Sequence, residues 1–578
     1  MPNRAPHDPT SLPRLSRRRL LGLAGFLGGG GWLSSRGASA ANVVETAAQR
    51  TAAAAAPAVN SYQALGVRPL INARGTFTIL GGNIELPEVQ ASKTLANQQH
   101  AHLDELAAAA GRRLAELTGA EWGMVSAGCA AAMSHATAAC IAGGNPELHV
   151  RIPDLRGFPK DEVIIPTSSR NQYDSAIRAL GVKIVEADSI DSLRLALGPR
   201  TAMIYLMADN STETGPMSTE AICAVANTHN VPVLVDAAAE VLTVQPNVHL
   251  ARGATLVCYS GGKAIRGPQS AGILLGRKDL CEAAWVHSAP HHGYSRAMKV
   301  GREEIVSMVV AVESWVKRDH GAVSADWIAR LTLIANRVNK IPGVVTTVRP
   351  EQESRNNRAS NLTIRWESQK LAITGTEVAR ILDTTEPRIV VAGSTGVGGG
   401  GRGGGGRGGA QAGGGQAGGG QGAQAQQTPL AGDTSLSINP HTLAPGDDKI
   451  IADRLFQILS APRAVKPAEP VAEPAADVSG AWQVEIQFVA GKSTHGFQLL
   501  QNGNRLTGSH QGDFATRDIA GTINGDTVTL SSNLAARGDT APFRFTGKVA
   551  GDAIAGTLDL GEYLGATWTA RRRGTGRG

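Results

Sequence analysis

The chain has 578 residues, of which 42% are hydrophobic and 70 are glycine. This length indicates more than one domain, and the apolar fraction is sufficient for at least one large core. The formal net charge is +7, but only 4% of the residues are aromatic, and no compact basic stripe carries interleaved aromatics. These features argue against a protein that binds nucleic acid.

The first 40 residues resemble an export signal. Residues 16–21 (SRRRLL) open a mildly apolar, glycine-rich stretch, and residues 38–40 (ASA) form a small-x-small cleavage site. The apolar stretch is shorter than the roughly 20 residues that a helix needs to span a bilayer. Paired arginines are typical of the twin-arginine route. The pattern predicts a signal peptide over 1–40, a periplasmic or secreted mature protein, and no stable membrane insertion after cleavage.

Residues 41–61 are rich in alanine and predict a disordered spacer, after which the pattern is that of an α/β protein. From 62 to 304, short and nearly continuous apolar runs alternate with helical stretches. This alternation predicts parallel strands buried on both faces, in a sheet covered by helices.

A smaller α+β domain is expected over 305–461. Its residues 396–428 are almost entirely Gly, Arg, Ala and Gln, which predicts a disordered loop inside the domain because such a composition cannot bury apolar surface. A stiff linker rich in Pro and Ala follows at 462–476. Short alternating strands with tight turns over 477–573 then predict an antiparallel β barrel or sandwich.

Five cysteines are widely spaced, odd in number and set among apolar or small residues: Cys129, Cys140, Cys223, Cys258 and Cys281. Buried free thiols are expected instead of a disulfide framework or a metal site. A metal site at His287, His291 and His292 is also not expected, because no acidic ligand completes the set nearby.

Two segments carry the main signal for function. Lys263 leaves an apolar run and enters the turn SGGKAIRG, where it is held still, partly desolvated and reachable. These conditions suit a Schiff base to an aldehyde cofactor. Asp236 ends the apolar run VPVLVD, which is where a pyridoxal 5'-phosphate enzyme places the carboxylate that keeps its pyridine nitrogen protonated. The pair predicts that cofactor.

A candidate phosphate-binding segment, called here the phosphate cradle, precedes both of these segments in the chain. Ser126, Ala127, Gly128 and Cys129 follow a predicted strand and open a small-residue helix, whose free N–H groups can bind an anion. Ser260, three residues before the lysine, can reach the same phosphate or cap the turn. Close packing of the helix on the sheet is the alternative reading of these small residues.

The opening segment RPLINARGTFTILGG, residues 68–82, resembles that of the selenocysteine synthase-like family. Further resemblance lies in residues 105–132, 236–240, 260–272 and 298–305. This family includes bacterial L-seryl-tRNA(Sec) selenium transferase and D-glucosaminate-6-phosphate ammonia lyase. The resemblance covers about residues 62–459 and implies the type I, aspartate aminotransferase-like fold, with Lys263 bound to the cofactor and Asp236 at its ring nitrogen. It also implies homo-oligomers, dimers or larger, with active sites at subunit interfaces.

Several basic residues are candidate substrate contacts under this resemblance: Arg74, Arg170, Arg296 and Lys299. An exposed charge run is the alternative for the last two. The chain departs from the family at Ser169, where relatives often carry histidine in Ser-His-Arg-Asn-x-Tyr-Asp. Its serine lacks a ring that could stack on the cofactor. Either another group such as His102 or Tyr173 covers the ring, or the cofactor affinity or the reaction type differs.

The sequence therefore predicts an exported lyase that performs α,β-elimination with ammonia release, or β-replacement, on a small amino acid or amino sugar acid. A selenium transferase is disfavoured because the chain has an export signal and no basic domain before residue 62 to hold an RNA. The alternative from another class is a non-catalytic binding protein on a relic fold, with the β domain as its working part.

Overall fold

A computed structural model of the protein describes residues 61–351, 355, 358–394, 433–463, 471–536 and 539–573. The predicted signal peptide, nearly all of the predicted spacer and the glycine-rich loop 396–428 lie outside the described residues. Among the described helices, none is both long and apolar enough to cross a bilayer.

The helices alternate with strands through the first two thirds of the chain. They are α1 Ser61–Ala64, α2 Pro87–Ala96, α3 Leu103–Thr118, α4 Cys129–Ala142, α5 Pro146–His149, α6 Ser175–Arg178, α7 Ile190–Ala196, α8 Thr219–Thr228, α9 Val248–Ala251, α10 Lys278–Val286, α11 Arg302–Lys317, α12 His320–Val338, α13 Ser368–Leu371, α14 Gly375–Thr384 and α15 Asp447–Ser460.

The strands fall into two groups in chain order. The first thirteen are β1 Ile71–Asn72, β2 Trp122–Ser126, β3 Glu162–Pro166, β4 Lys183–Ala187, β5 Thr201–Met207, β6 Val233–Asp236, β7 Leu256–Ser260, β8 Gly272–Gly276, β9 Val345–Arg349, β10 Asn361–Glu367, β11 Ile389–Val390, β12 Ala392–Ser394 and β13 Asp433–Ile438. The last eight are β14 Gly480–Gln487, β15 Lys492–Asn502, β16 Arg505–Gln511, β17 Thr516–Asn524, β18 Thr527–Ala536, β19 Asp539–Ala550, β20 Ala553–Asp559 and β21 Gly565–Arg572.

The large domain is built on a seven-stranded sheet with the order β2-β8-β7-β6-β5-β3-β4. Strand β8 is antiparallel to both of its neighbours, and the other pairings are parallel. Separate apolar cores lie on the two faces of this sheet, one containing Val235 and Val257 and the other Leu234 and Cys258. The predicted parallel-dominated sheet with both faces covered is therefore confirmed, since alternate residues of its strands enter opposite cores.

Two segments pack differently from their sequence assignment. Helix α11, expected to open the small domain, buries Ile305, Met308 and Val312 in a core of the large domain. Strand β1, expected in the large domain, pairs with β11, and Ala73 enters the small-domain core. The amphipathic pattern shows that a helix or strand has an apolar face, but it does not show which core receives that face.

The small domain has the sheet β12-β13-β10-β9, against which α12, α14 and α15 pack. Strand β13 pairs with both β12 and β10, so the strand-like runs on the two sides of the glycine-rich loop belong to one sheet, as the sequence predicts. Strands β14 to β21 form a closed antiparallel barrel in chain order, which settles the predicted choice between barrel and sandwich. Its interior holds Trp482, Phe545 and Trp568.

Candidate active site

The carboxyl ends of the parallel strands bring Asp236 and the lysine turn to one edge of the sheet. Asp236 ends β6 and pairs in register with Cys258 of β7, two residues before the strand ends at Ser260. Strand β8 lies between β7 and β2, so Gly272 is in register with both Ser260 and Ser126. Open α/β sheets bind ligands outside the carboxyl ends of their strands.

The lysine turn is held by backbone contacts at both ends. Gly261 donates its N–H to the Ala271 carbonyl at 2.8 Å, and Arg266 donates its N–H to the Lys263 carbonyl at 3.0 Å. The side chain of buried Asn83 donates to the same Lys263 carbonyl at 3.3 Å. A β-carbon on Gly261 would lie 2.6 Å from Met308 Sδ, so the turn packs too closely for a larger residue. The half-buried Lys263 side chain is thus carried on a fixed backbone.

Asp236 is 5% exposed and its carboxylate accepts three hydrogen bonds. Oδ1 accepts from the Ala238 N–H at 3.0 Å and the Cys129 thiol at 3.4 Å, and Oδ2 accepts from the Tyr205 hydroxyl at 3.0 Å. These three donors fix the orientation of the carboxylate. Burial and the Asp236 charge raise the pKa of Tyr205 well above its ordinary value, so the phenol stays a neutral donor.

Cys129 connects the two groups that the sequence identified. Hydrogen bonding to Cys258, burial and the nearby charges of Cys258 and Asp236 raise its pKa, and the charge of Lys263 lowers it. The Cys129 thiol bonds to Asp236. Asp236 and the turn that carries Lys263 follow neighbouring strands at the same edge of the sheet.

The predicted phosphate cradle is the start of α4. The helix begins at Cys129, and its N-cap Gly128 provides no side-chain cap, so the first N–H groups are left for an anion. Gly272 approaches this turn closely: a β-carbon there would lie 2.7 Å from the Gly128 carbonyl carbon and 2.8 Å from the Cys129 nitrogen. The Ser126 hydroxyl donates to the Gly128 carbonyl at 2.8 Å and so braces the turn.

The segment that departs from the family is buried beside the same carboxylate. Ser169 is 1% exposed, and its hydroxyl accepts the Met207 N–H at 3.2 Å. Asn171 donates to the Tyr205 hydroxyl at 3.1 Å and thereby joins this segment to Asp236. Of the two rings considered as cofactor covers, Tyr173 belongs to the same segment and donates its backbone N–H to the Asn171 side chain at 2.7 Å. His102 is exposed at the start of α3.

The basic candidates are in different surroundings. Arg170 forms ion pairs with buried Asp174 at 2.6 Å and with Glu186, so its charge is already compensated. The Arg74 guanidinium lies 4.7 Å from the Phe77 ring centroid. Arg296 and Lys299 are exposed in the loop after α10.

Histidines of that loop are used in packing. The rings of His287 and His149 stack with centroids 4.1 Å apart, and His291 lies 3.3 Å from Asp104. His292 is exposed.

The small domain reaches the site through Arg355. Its guanidinium contacts Glu240 at 3.2 Å and pairs with Glu213, and its carbonyl accepts the Val241 N–H. Glu240, four residues after Asp236, also contacts His249 at 2.7 Å. The loop after β6 is therefore clamped between the domains.

A cavity of about 1250 Å3 lies behind the lysine turn. Its walls include Ala264, Arg266, Trp315, Arg318 and His441. Arg318 donates to the carbonyls of Ala264 and Ile265, so one wall of this cavity is the backbone that follows Lys263.

Sequence reasoning missed Tyr205, Asn83 and the pairing of Cys258 with the site. The one available signal for Tyr205 was a hydroxyl-bearing residue inside an otherwise apolar strand. Buried tyrosines usually place that hydroxyl on a partner.

Comparisons with known proteins agree with this fold. The profile of the aminotransferase class-V family matches residues 170–295. D-glucosaminate-6-phosphate ammonia lyase of Salmonella typhimurium (strain 14028s / SGSC 2262) is 31% identical over 329 residues, 55% of this chain and 85% of that protein. 5'-C-glycyluridine monooxygenase-decarboxylase of Streptomyces sp is 32% identical over 295 residues, 49% of this chain and 72% of that protein.

A solved structure of D-glucosaminate-6-phosphate ammonia-lyase superposes with a TM-score of 0.56 at 26% identity. The match covers 70% of this chain and 98% of that one. The similarity therefore spans nearly the whole of the solved chain.

Proposed function

This chain belongs to the selenocysteine synthase-like family of type I fold, pyridoxal-phosphate-dependent enzymes, and from this premise we propose that it is a lyase that binds pyridoxal 5'-phosphate and releases ammonia from a small amino acid or amino sugar acid. The observation that carries the proposal is that Asp236 and the Lys263 turn follow the neighbouring parallel strands β6 and β7 at the same edge of the sheet, where Cys129 at the start of α4 bonds to Asp236. A 31% identical relative named as an ammonia lyase supports this reaction class.

The residues present fit the cofactor at three points. The uncapped start of α4 suits its phosphate. The Asp236 carboxylate, fixed by Ala238 and Tyr205, suits a protonated ring nitrogen. The Lys263 amine, on a turn that Asn83 and Ala271 hold still, suits its aldehyde. When bound, the cofactor supplies an aldehyde that captures the substrate amine and a cationic ring that accepts the electrons of the broken Cα–H bond.

The side chains then have separate tasks. Lys263 would hold the cofactor through its aldehyde, and its amine is the group that would take the proton from the substrate Cα. Asp236, whose carboxylate is oriented by Ala238, Cys129 and Tyr205, would hold the ring nitrogen. Tyr173, which is 46% exposed and bonds through its N–H to Asn171, is the candidate ring for covering the site. Expulsion of a β-substituent, followed by addition of one water and release of ammonia, would give a keto acid, and a nucleophile that adds in place of the lost substituent would give β-replacement.

Absorption spectroscopy tests this proposal. Protein that lacks residues 1–40 but is otherwise complete should, when mixed with pyridoxal 5'-phosphate, develop an absorption band near the violet end of the visible range. Borohydride should remove this band. Lys263→Ala should abolish the band, whereas Lys183→Ala, which removes an exposed lysine paired with Glu162, should keep it. A screen of amino acids and amino sugar acids should then release ammonia and a keto acid. A protein that gives no band would support the alternative of a non-catalytic binding protein.

Export and self-association are parts of the same proposal. The arginine pair at residues 17 and 18 and the cleavage motif at 38–40 support twin-arginine export. Replacing both arginines with lysine should retain the protein in the cytosol in a fractionation experiment. The family resemblance supports a homo-oligomer, which light scattering on the mature protein would test.

A further inference from the structure

Three buried side chains converge where the cofactor ring is expected. The thiols of Cys129 and Cys258 and the carboxylate of Asp236 each offer one ligand atom, and these atoms all lie within 4.8 Å of one another. The strand register creates this group, because Asp236 of β6 and Cys258 of β7 are direct neighbours and Cys129 begins the helix above them. Their chain positions are far apart, so the group exists only in the folded protein.

The spacing between one sulfur and the carboxylate oxygen is close to that of a tetrahedral metal site. Zinc binds thiolate sulfur at about 2.3 Å and carboxylate oxygen at about 2.0 Å, which places sulfur and oxygen about 3.5 Å apart around one ion. Cys129 Sγ lies 3.4 Å from Asp236 Oδ1. Two sulfur ligands and one oxygen ligand favour thiophilic ions such as Zn²⁺ over Mg²⁺ or Ca²⁺, which prefer oxygen.

The surroundings also support a bound ion. The Ala238 N–H and the Tyr205 hydroxyl fix the orientation of the Asp236 carboxylate, as outer partners of metal ligands commonly do. Cys129 and Cys258 both lie in an apolar core, which limits competition from water. Tyr205 bonds to Oδ2, so Oδ1 can exchange its thiol hydrogen bond for a metal bond without breaking the Tyr205 contact.

We propose that the cofactor-free protein binds one thiophilic divalent cation, with Zn²⁺ as the representative ion, at Cys129, Cys258 and Asp236, and that this ion and the cofactor exclude one another. Binding converts two thiols to thiolates and releases two protons, and water fills the fourth position. No electron is transferred. The exclusion follows because the ion occupies the carboxylate oxygen beside the ring nitrogen, and this half of the inference rests on the proposed function.

Binding of the ion requires both thiols to lose their protons, so protons compete with the metal and the affinity should rise with pH.

Cobalt provides a spectroscopic probe of the site. Co²⁺ added to reduced, cofactor-free full-length protein should give the visible bands of tetrahedral cobalt and a near-ultraviolet thiolate-to-cobalt band, at one ion per chain. Cys129→Ser and Cys258→Ser should each weaken Co²⁺ binding by about tenfold or more and reduce the thiolate band. Cys223→Ser, which changes a buried cysteine in the other core of the large domain, should leave both unchanged.

Circular dichroism of the serine variants confirms that they are folded before they are scored. Pyridoxal 5'-phosphate added before Co²⁺ should prevent the bands, and Zn²⁺ should displace Co²⁺. Bands that persist in the folded Cys129→Ser and Cys258→Ser variants, or the absence of bands in the parent protein, would overturn the metal site. Cobalt bands that coexist with full cofactor occupancy would overturn the exclusion. Bands in a protein that never binds the cofactor would leave the metal site supported and refute the proposed function instead.

Discussion

Tyr205 donates its hydroxyl hydrogen bond to Oδ2 of Asp236 at 3.0 Å, from a neighbouring strand of the same sheet. The hydroxyl in turn accepts from Asn171 at 3.1 Å, so it links the 168–174 segment to the carboxylate that we assign to the cofactor. A hydrogen bond to a charged group contributes about 1.5 to 3 kcal/mol. Tyr205 is therefore a positioning residue for Asp236.

Tyr205→Phe should weaken binding of pyridoxal 5'-phosphate by about tenfold, because Asp236 loses one of its three donors. An absorbance titration of the cofactor-free protein measures this change. Tyr259→Phe is the matched control, since that buried hydroxyl bonds to Asn247 at 2.8 Å and not to Asp236. Equal cofactor affinities in the two variants would contradict the assigned role.

Gly272→Ala should also weaken cofactor binding. The new β-carbon would lie under 3 Å from backbone atoms of Gly128 and Cys129 and would displace the start of α4. Overpacking of this kind costs about 1 to 3 kcal/mol, which corresponds to a cofactor affinity lower by about tenfold or more. Gly198→Ala, where no atom lies within 4 Å of the new β-carbon, should leave the affinity unchanged in the same titration.

Arg355→Met should destabilise the protein by about 3 kcal/mol, because Glu240 is buried and would lose its arginine contact, which leaves the His249 ring as its remaining side-chain partner among the described residues. Urea unfolding measures the free energy of unfolding. Arg358→Met removes an arginine from the same loop, but its pair with Glu351 is partly exposed, so we expect a loss of less than about 1 kcal/mol. Similar losses in both variants would show that Glu240 does not depend on Arg355.

Stability should fall in mild acid because of the buried histidine pair. Burial and the stacked His149 lower the pKa of His287 from 6.5 to about 4. The unfolded chain therefore binds a proton that the folded protein resists. The contribution of His287 to the free energy of unfolding is therefore complete above about pH 6.5. It decreases as the pH falls toward 4, by about 3 kcal/mol over that interval.

His287→Gln should make this pH dependence shallower, as measured by thermal unfolding between pH 7.5 and 4. The same substitution should reduce the pH dependence that comes from His135. Burial and the charge of His287 lower the pKa of His135 to about 3, and the variant removes the second of these causes. His292→Gln, a substitution at an exposed position of the same loop, should leave the slope unchanged. An unaltered slope in His287→Gln would assign the acid sensitivity to other groups.

The sequence by itself predicted the alternation of strands and helices, an antiparallel barrel or sandwich over 477–573, and Lys263 and Asp236 as the candidate cofactor residues. Each depends on local information: apolar periodicity, turn residues, or a reactive side chain at the end of a buried run. Only the tertiary structure decided that Tyr205 and Cys258 flank Asp236, that α11 packs on the large domain, and that Arg355 reaches Glu240. These relationships depend on strand order and register, which join residues distant in the chain and leave no periodic signal in it.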